Sequence, residues 1–241
     1  AMESIDTHEG GIVAYCTDVE GNYDYWCRYL ELSKVLKRDE ASKKIVFTRP
    51  NAQFVFGGDV CDRGPGDIRL LNDLTQLYDD NAGKVHFILG NRDVNKMRIP
   101  VELHVKYLEA PGKCYWIPAD PEQKPQTAAD RLKWILSKTM GSPGGFNYRK
   151  DELAAMKRPN EDEDVVESFF DLLVPGGALM KYLQYGKISV SIGDVLFCHG
   201  GINGNNMGWL PPKSPNATAN PPGAPAALGG TKTGDFKQWL G

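Results

Sequence analysis

At 241 residues and 26.7 kDa the chain is long enough to bury a sizeable core, so the expectation is one large domain over residues 1–241 that carries an insertion. A formal net charge of −3 and a pI near 5.9 leave no electrostatic footprint for nucleic acid or an anionic membrane, so any phosphate binding must be local. No apolar run spans a bilayer, the opening AMESIDTHEG lacks a signal-peptide core, and five scattered cysteines without a CxxC pair argue for a reducing, cytoplasmic compartment.

The first buried strand is predicted at Ile12-Val13-Ala14-Tyr15-Cys16, running into Thr17-Asp18-Val19-Glu20-Gly21-Asn22. A helix packed on one side follows over 23–35, with Tyr25, Trp26, Tyr29 and Leu30 on its face. The run Phe54-Val55-Phe56 stops at Gly57-Gly58 and delivers Asp59, Asp62 and Arg63 together at a sheet edge. Beyond Gly64-Pro65-Gly66, residues Ile68, Leu71, Leu74, Leu77 and Tyr78 recur at helical spacing, and a third strand, Val85 to Leu89, ends at Gly90-Asn91-Arg92-Asp93. Strand, polar loop, helix, strand is the pattern of βαβ crossovers and a largely parallel sheet, whose ligands bind outside the carboxyl ends of the strands.

Residues 101–185 turn mainly helical, interrupted at 118–127 and 141–145, and are expected to form an insertion over the sheet edge that sets substrate choice. Within it the acidic run Glu161-Asp162-Glu163-Asp164 suits a helix start better than a metal site. A β-hairpin is predicted for Lys187 to Ser191 and Val195 to Cys198, the latter running into His199-Gly200-Gly201. Residues 208–230, rich in Pro, Gly and Ala, suit an irregular loop, and 231–240 look like the start of a helix.

Four strand ends that each finish in glycine plus a ligand-type side chain are more than core packing requires. Asp18, Glu20, Asp59, Asn91 and His199 offer carboxylate, amide and imidazole donors, a mixture suited to Mn, Mg, Fe or Zn. Two cations sharing Asp59 as a bridge would activate a water and clamp a phosphoryl group, and Arg63 and Arg92 would hold its oxygens through guanidinium forks. His86 and His104 lack this context and suit structural roles.

The blocks DVEGN (18–22), GDVCDRG (58–64), GNRD (90–93) and CHGG (198–201) resemble the D-x-H-G-N, GDxxDRG, GNH[DE] and HGG blocks of calcineurin-like metallophosphoesterases. The likeness is to the branch of serine/threonine protein phosphatases and diadenosine tetraphosphate hydrolases in particular. It implies an α/β (α+β) fold, a four-layer αββα metallophosphatase sandwich, with a di-metal centre. By matched position Asp18, Glu20 and Asp59 would bind the first metal and Asp59, Asn91 and His199 the second. Arg63 would bind phosphate with Asp62 behind it, so the candidate catalytic residues are Asp62, Arg63, Arg92 and Asp93, with Arg63, Arg92 and Asn91 holding the phosphate. The activity implied is hydrolysis of phosphomonoesters, on a phosphorylated protein or small phosphorylated substrate. The alternatives are a diadenosine polyphosphate or nucleotide hydrolase and a non-catalytic phosphoprotein-binding module.

Three departures qualify the resemblance. Glu20 replaces a metal-binding His, which makes the first site all-oxygen and favours Mn²⁺ over Zn²⁺. Arg92 replaces the His thought to protonate the leaving oxygen, and a guanidinium has no accessible neutral form in proteins. Asp62 or Asp93 is left to pair with Arg92 or to act as a displaced acid. A further His expected downstream of His199 is not in the sequence, so that water, another group or a residue of a longer chain would complete the second site.

Overall fold

A computed structural model describes residues 4–5, 11–108, 127–204, 207–210, 231–232 and 234. The strands are β1 (Ser4–Ile5), β2 (Ile12–Cys16), β3 (Leu36–Arg38), β4 (Ile45–Phe47), β5 (Ala52–Phe56), β6 (Val85–Phe87), β7 (Ser189–Ile192), β8 (Val195–Cys198), β9 (Trp209–Leu210) and β10 (Thr231–Lys232). The helices are α1 (Tyr23–Leu32), α2 (Asp67–Asp80), α3 (Asn91–Asn95), α4 (Ile99–Glu102), α5 (Val105–Leu108), α6 (Ala128–Trp134), α7 (Gly145–Ala155), α8 (Asp162–Leu173) and α9 (Ala178–Tyr185).

Strands β2, β5 and β6 form a parallel sheet in the order β2-β5-β6. Cys16 pairs with Phe56, and Phe56 with Phe87, so the three strands end level and their loops leave from one edge. A second sheet, in the order β1-β7-β8, carries the predicted hairpin, closed at Ile192 and Val195. The two-residue period of β5 divides it between two cores. Phe54 and Phe56 join the larger core with the helices, while Val55 joins Ile88, Val190 and Ile192 in a smaller core between the sheets. This mixed α/β arrangement, helices on a parallel sheet backed by a second sheet, is that of the metallophosphatase fold.

Helix α1 is capped by Asn22, whose side chain accepts from the Tyr25 N–H. It ends at Leu32, short of the predicted Val35, because the Ser33 hydroxyl takes the N–H groups of Val35 and Leu36 and offers the backbone an alternative to the helix. The hairpin of β3 and β4 that follows was not predicted, since strands of three residues are too short to show alternation. Helix α2 starts at Gly66 with no side-chain cap of its own. Glu152 of α7 supplies it from 84 residues away in sequence, accepting from the N–H groups of Ile68 and Arg69 at 3.0 Å each.

The stretch 101–185 is helical where described, as expected, and the predicted break at 141–145 is a turn between α6 with its π-helical end (Ile135–Thr139) and α7. Most of the other predicted break, 118–127, lies outside the described residues, as do most of 208–230 and 231–240. Where they are described, Trp209–Leu210 pairs antiparallel with Thr231–Lys232, so the Pro-rich stretch is bracketed by a two-residue ribbon, and residues 231–232 are strand rather than the start of a helix. The acidic run behaves as the dipole argument requires. Asp162 opens α8 and binds Lys133 and Lys150 at 2.6 and 3.0 Å. His86 is structural, with Nε2 2.8 Å from Gln53 Oε1.

Candidate active site

The loops after β2, β5 and β6 interlock through backbone hydrogen bonds. The N–H groups of Asp18 and Glu20 donate to the carbonyls of Gly58 and Asp59, each at 3.0 Å, and Arg63 N–H donates to Glu20 O at 2.6 Å. Asp18, Glu20, Asp59 and Asp62 all have positive φ, at 51°, 50°, 55° and 112°. Such conformations cost L-residues of order 1–3 kcal/mol each and cluster at functional sites. Gly58 and Gly90 permit the approach. A Cβ on Gly58 would lie 2.7 Å from Gly90 N and from His199 Nδ1, and one on Gly90 would lie 2.2 Å from Asp59 Oδ1.

Donor atoms of Asp18, Asp59 and His199, from three different strand ends, lie within 4.8 Å of one another. His199 Nδ1 sits 2.8 Å from the Gly57 carbonyl, which can only accept, so Nδ1 carries the ring proton. Nε2, the ring nitrogen left to face the site, lies 3.4 Å from Asp59 Oδ1. Two carboxylates and an oriented imidazole fit one divalent ion. Asn91 opens α3 next to them, one residue before Arg92, whose N–H donates to Asp59 Oδ1 at 3.0 Å.

Glu20 does not join that donor set. Its Oε1 lies 2.7 Å from Arg92 Nε and its Oε2 3.3 Å from Arg63 Nη1. The two departures from the family pattern are therefore each other's partner. Arg92 is buried and is further held by Asp59 Oδ2 at 3.5 Å, Asp62 Oδ2 at 3.3 Å and the carbonyls of Met140 and Gly141. Of the two carboxylates expected beside Arg92, Asp62 pairs with it. Asp93 instead accepts from the backbone N–H groups of Asp59, Val60 and Gly90 at 3.1, 2.8 and 2.8 Å. Asp93 thus fastens the Asp59 loop to the start of α3, and burial pushes its carboxyl up to about 6 against those backbone donors.

The calcineurin-like phosphoesterase profile matches residues 6–222. The chain belongs to the calcineurin-like phosphoesterase family. This family is one of metal-dependent phosphoester hydrolases. Among solved structures the phosphoesterase is similar to a cold-active protein-tyrosine phosphatase of a psychrophilic Shewanella species, at 17% identity and a TM-score of 0.40, over 82% of this chain and 46% of that one. It is also similar to a protein serine/threonine phosphatase from Saccharomyces cerevisiae, at 14% identity and a TM-score of 0.36, over 84% and 42% of the two chains. The phosphoesterase chain thus spans less than half the length of these structures. No curated protein matches it. Among the described residues no helix is long and apolar enough to cross a membrane.

Two contributors to the phosphoesterase site were not among the predicted residues. Lys96, buried, donates to Asp62 Oδ2 at 2.7 Å and to the Arg92 carbonyl at 3.1 Å. Its signal was its place four residues after Arg92, on the same helical face. Ser142 donates to the Asp62 carbonyl at 2.8 Å and ties the turn before α7 to the site, a contact across 80 residues that has no local signal.

Proposed function

We propose that this chain hydrolyses phosphomonoesters in the manner of a protein phosphatase, and that it favours substrates whose leaving oxygen is already acidic, such as phosphotyrosine or a phosphoanhydride. The observation that carries the reading is the meeting of Asp18, Asp59 and His199 beside the guanidinium groups of Arg63 and Arg92. An ion on Asp18, Asp59 and His199, with Asn91 as a further donor and Mn²⁺ favoured by the oxygen-rich set, would supply Lewis acidity and lower the pKa of a water.

The rest is done by the chain itself. Arg63, with a side chain 60% exposed, stands at the mouth and offers its free N–H groups to phosphate oxygens. Arg92 presents a fixed positive charge that stabilises charge building on the phosphoryl group, and it has no proton to give. His199 uses its ring proton on Gly57, Asp93 is occupied by three backbone donors, and Asp62 is held by Lys96 and Arg92. Among the described residues these three candidates for the acid are each already engaged, which supports a leaving group that departs unassisted.

The absence of a general acid costs about 10²–10⁴-fold for an alkyl leaving group and little for a phenol of pKa near 10. Matched phosphotyrosine and phosphoserine peptides should therefore differ in kcat/KM by about that factor in favour of phosphotyrosine. Equal values would contradict the leaving-group reading. Turnover of dinucleotide polyphosphates above both peptides would favour the nucleotide hydrolase, and tight phosphopeptide binding without turnover would favour a binding module.

A further inference from the structure

We infer that the site holds a single divalent ion per chain, and that the guanidinium of Arg92 takes the charge position of the second ion expected from the family pattern. The inference rests on the metal-dependent reading above and concerns the number of ions, which that reading leaves open.

The first ion was expected on Asp18, Glu20 and Asp59. Both carboxylate oxygens of Glu20 are engaged by guanidinium groups, at 2.7 and 3.3 Å. Arg92 Nε also stands 3.5 Å from Asp59 Oδ2, the carboxylate that two ions would have to share. A second divalent ion against Glu20 would therefore sit beside a cation that cannot lose its proton and is fixed by Asp62 and two backbone carbonyls. The charges point the same way. Glu20, Asp59 and Asp62 are already faced by the guanidinium groups of Arg63 and Arg92 and by Lys96, so a second divalent ion would find little uncompensated negative charge there. The replacement of two family histidines by Glu20 and Arg92 is then one change and not two: a metal-binding imidazole and a proton donor give way to an internal ion pair.

The test is a titration of the metal-free chain with Mn²⁺, counting bound ions by equilibrium dialysis and recording their paramagnetic resonance spectrum. The expected result is one ion per chain with the spectrum of a magnetically isolated Mn²⁺. In Arg92→Met, which frees Glu20, a second ion should bind and couple to the first. In Glu20→Gln the count should stay at one, because Glu20 is not a ligand of the bound ion. Two coupled ions in the wild type would overturn the inference. So would a folded Arg92→Met that still binds one, or a count other than one in Glu20→Gln. No Mn²⁺ bound by any form would instead overturn the metal-dependent reading, and this inference with it.

Discussion

Arg92 sits where three acidic side chains converge, and its replacement by Met is expected to destabilise the metal-free protein by about 3–5 kcal/mol, the usual cost of breaking a buried ion pair from one side. At an effective dielectric of about 20, unit charges about 4 Å apart interact by roughly 4 kcal/mol. Arg92 Nε lies 2.7 Å from Glu20 and 3.5 Å from Asp59, with the Arg92 and Glu20 side chains only 10% and 16% exposed. Asp62 keeps Lys96 at 2.7 Å when Arg92 is lost, and Glu20 keeps only the largely exposed Arg63, so Glu20 and Asp59 carry most of the penalty. In Glu20→Gln/Arg92→Met one of the stranded charges is gone. The double variant should therefore be more stable than the sum of the single changes by about 1–3 kcal/mol. Urea unfolding in the presence of chelator measures all four forms. A cost below about 1 kcal/mol for Arg92→Met, or additivity within about 0.5 kcal/mol, would refute the pairing.

Further consequences can be checked in the same way. Arg149, buried, binds Asp67 at 3.0 Å while its neighbour Glu152 caps α2, so Arg149→Met should cost about 3–5 kcal/mol in urea unfolding, and a cost under about 1 kcal/mol would show that α7 does not anchor α2. Burial pushes the carboxyl groups of Asp67 and Asp93 up to about 6 from an ordinary 3.8. The native state then binds protons more tightly than the unfolded chain between those values, so their contribution to stability grows as pH falls from above 6 towards 4. The urea midpoint of the metal-free protein should accordingly rise from about pH 7.5 to about pH 5, and a fall over that range would contradict the assignment. Ser142→Ala removes one buried hydrogen bond to the Asp62 carbonyl and should cost about 1 kcal/mol while weakening turnover of good leaving groups little.

The parallel sheet was legible because Phe54-Val55-Phe56 and Val85 to Leu89 are short apolar runs that stop at glycine, the trace of strands buried on both faces, and Ile12 to Cys16 is apolar as well although Ile12 and Tyr15 are exposed. The convergence of Asp18 and Asp59 was legible for the same reason, since parallel strands that end level deliver the following residues to one place, while His199 joins them from the end of β8 in the second sheet. What the residues after Glu20 and Arg92 do not reveal is that these two side chains meet. They are 72 positions apart, and their contact depends on the left-handed backbone of Glu20 and on the short helix α3. The sequence left open whether Asp62 or Asp93 pairs with Arg92; adjacency along a helix puts side chains on different faces, so Asp62 takes that place while the Asp93 carboxylate turns back to the strand ends. Lys96 reaches Asp62 from the turn that follows α3, and Ser142 reaches it from the turn before α7, through packing across 80 residues that no local pattern encodes.

The account stands most directly on Asp59, the carboxylate that touches His199, Arg92 and the Arg92 N–H. Hydrolysis of p-nitrophenyl phosphate by the whole chain, with Mn²⁺ and with chelator, beside Asp59→Asn is the measurement that tests it. Turnover that needs Mn²⁺ and falls by at least about 10²-fold in Asp59→Asn is the predicted result. Turnover that survives the chelator, or that Asp59→Asn leaves unchanged, would contradict it.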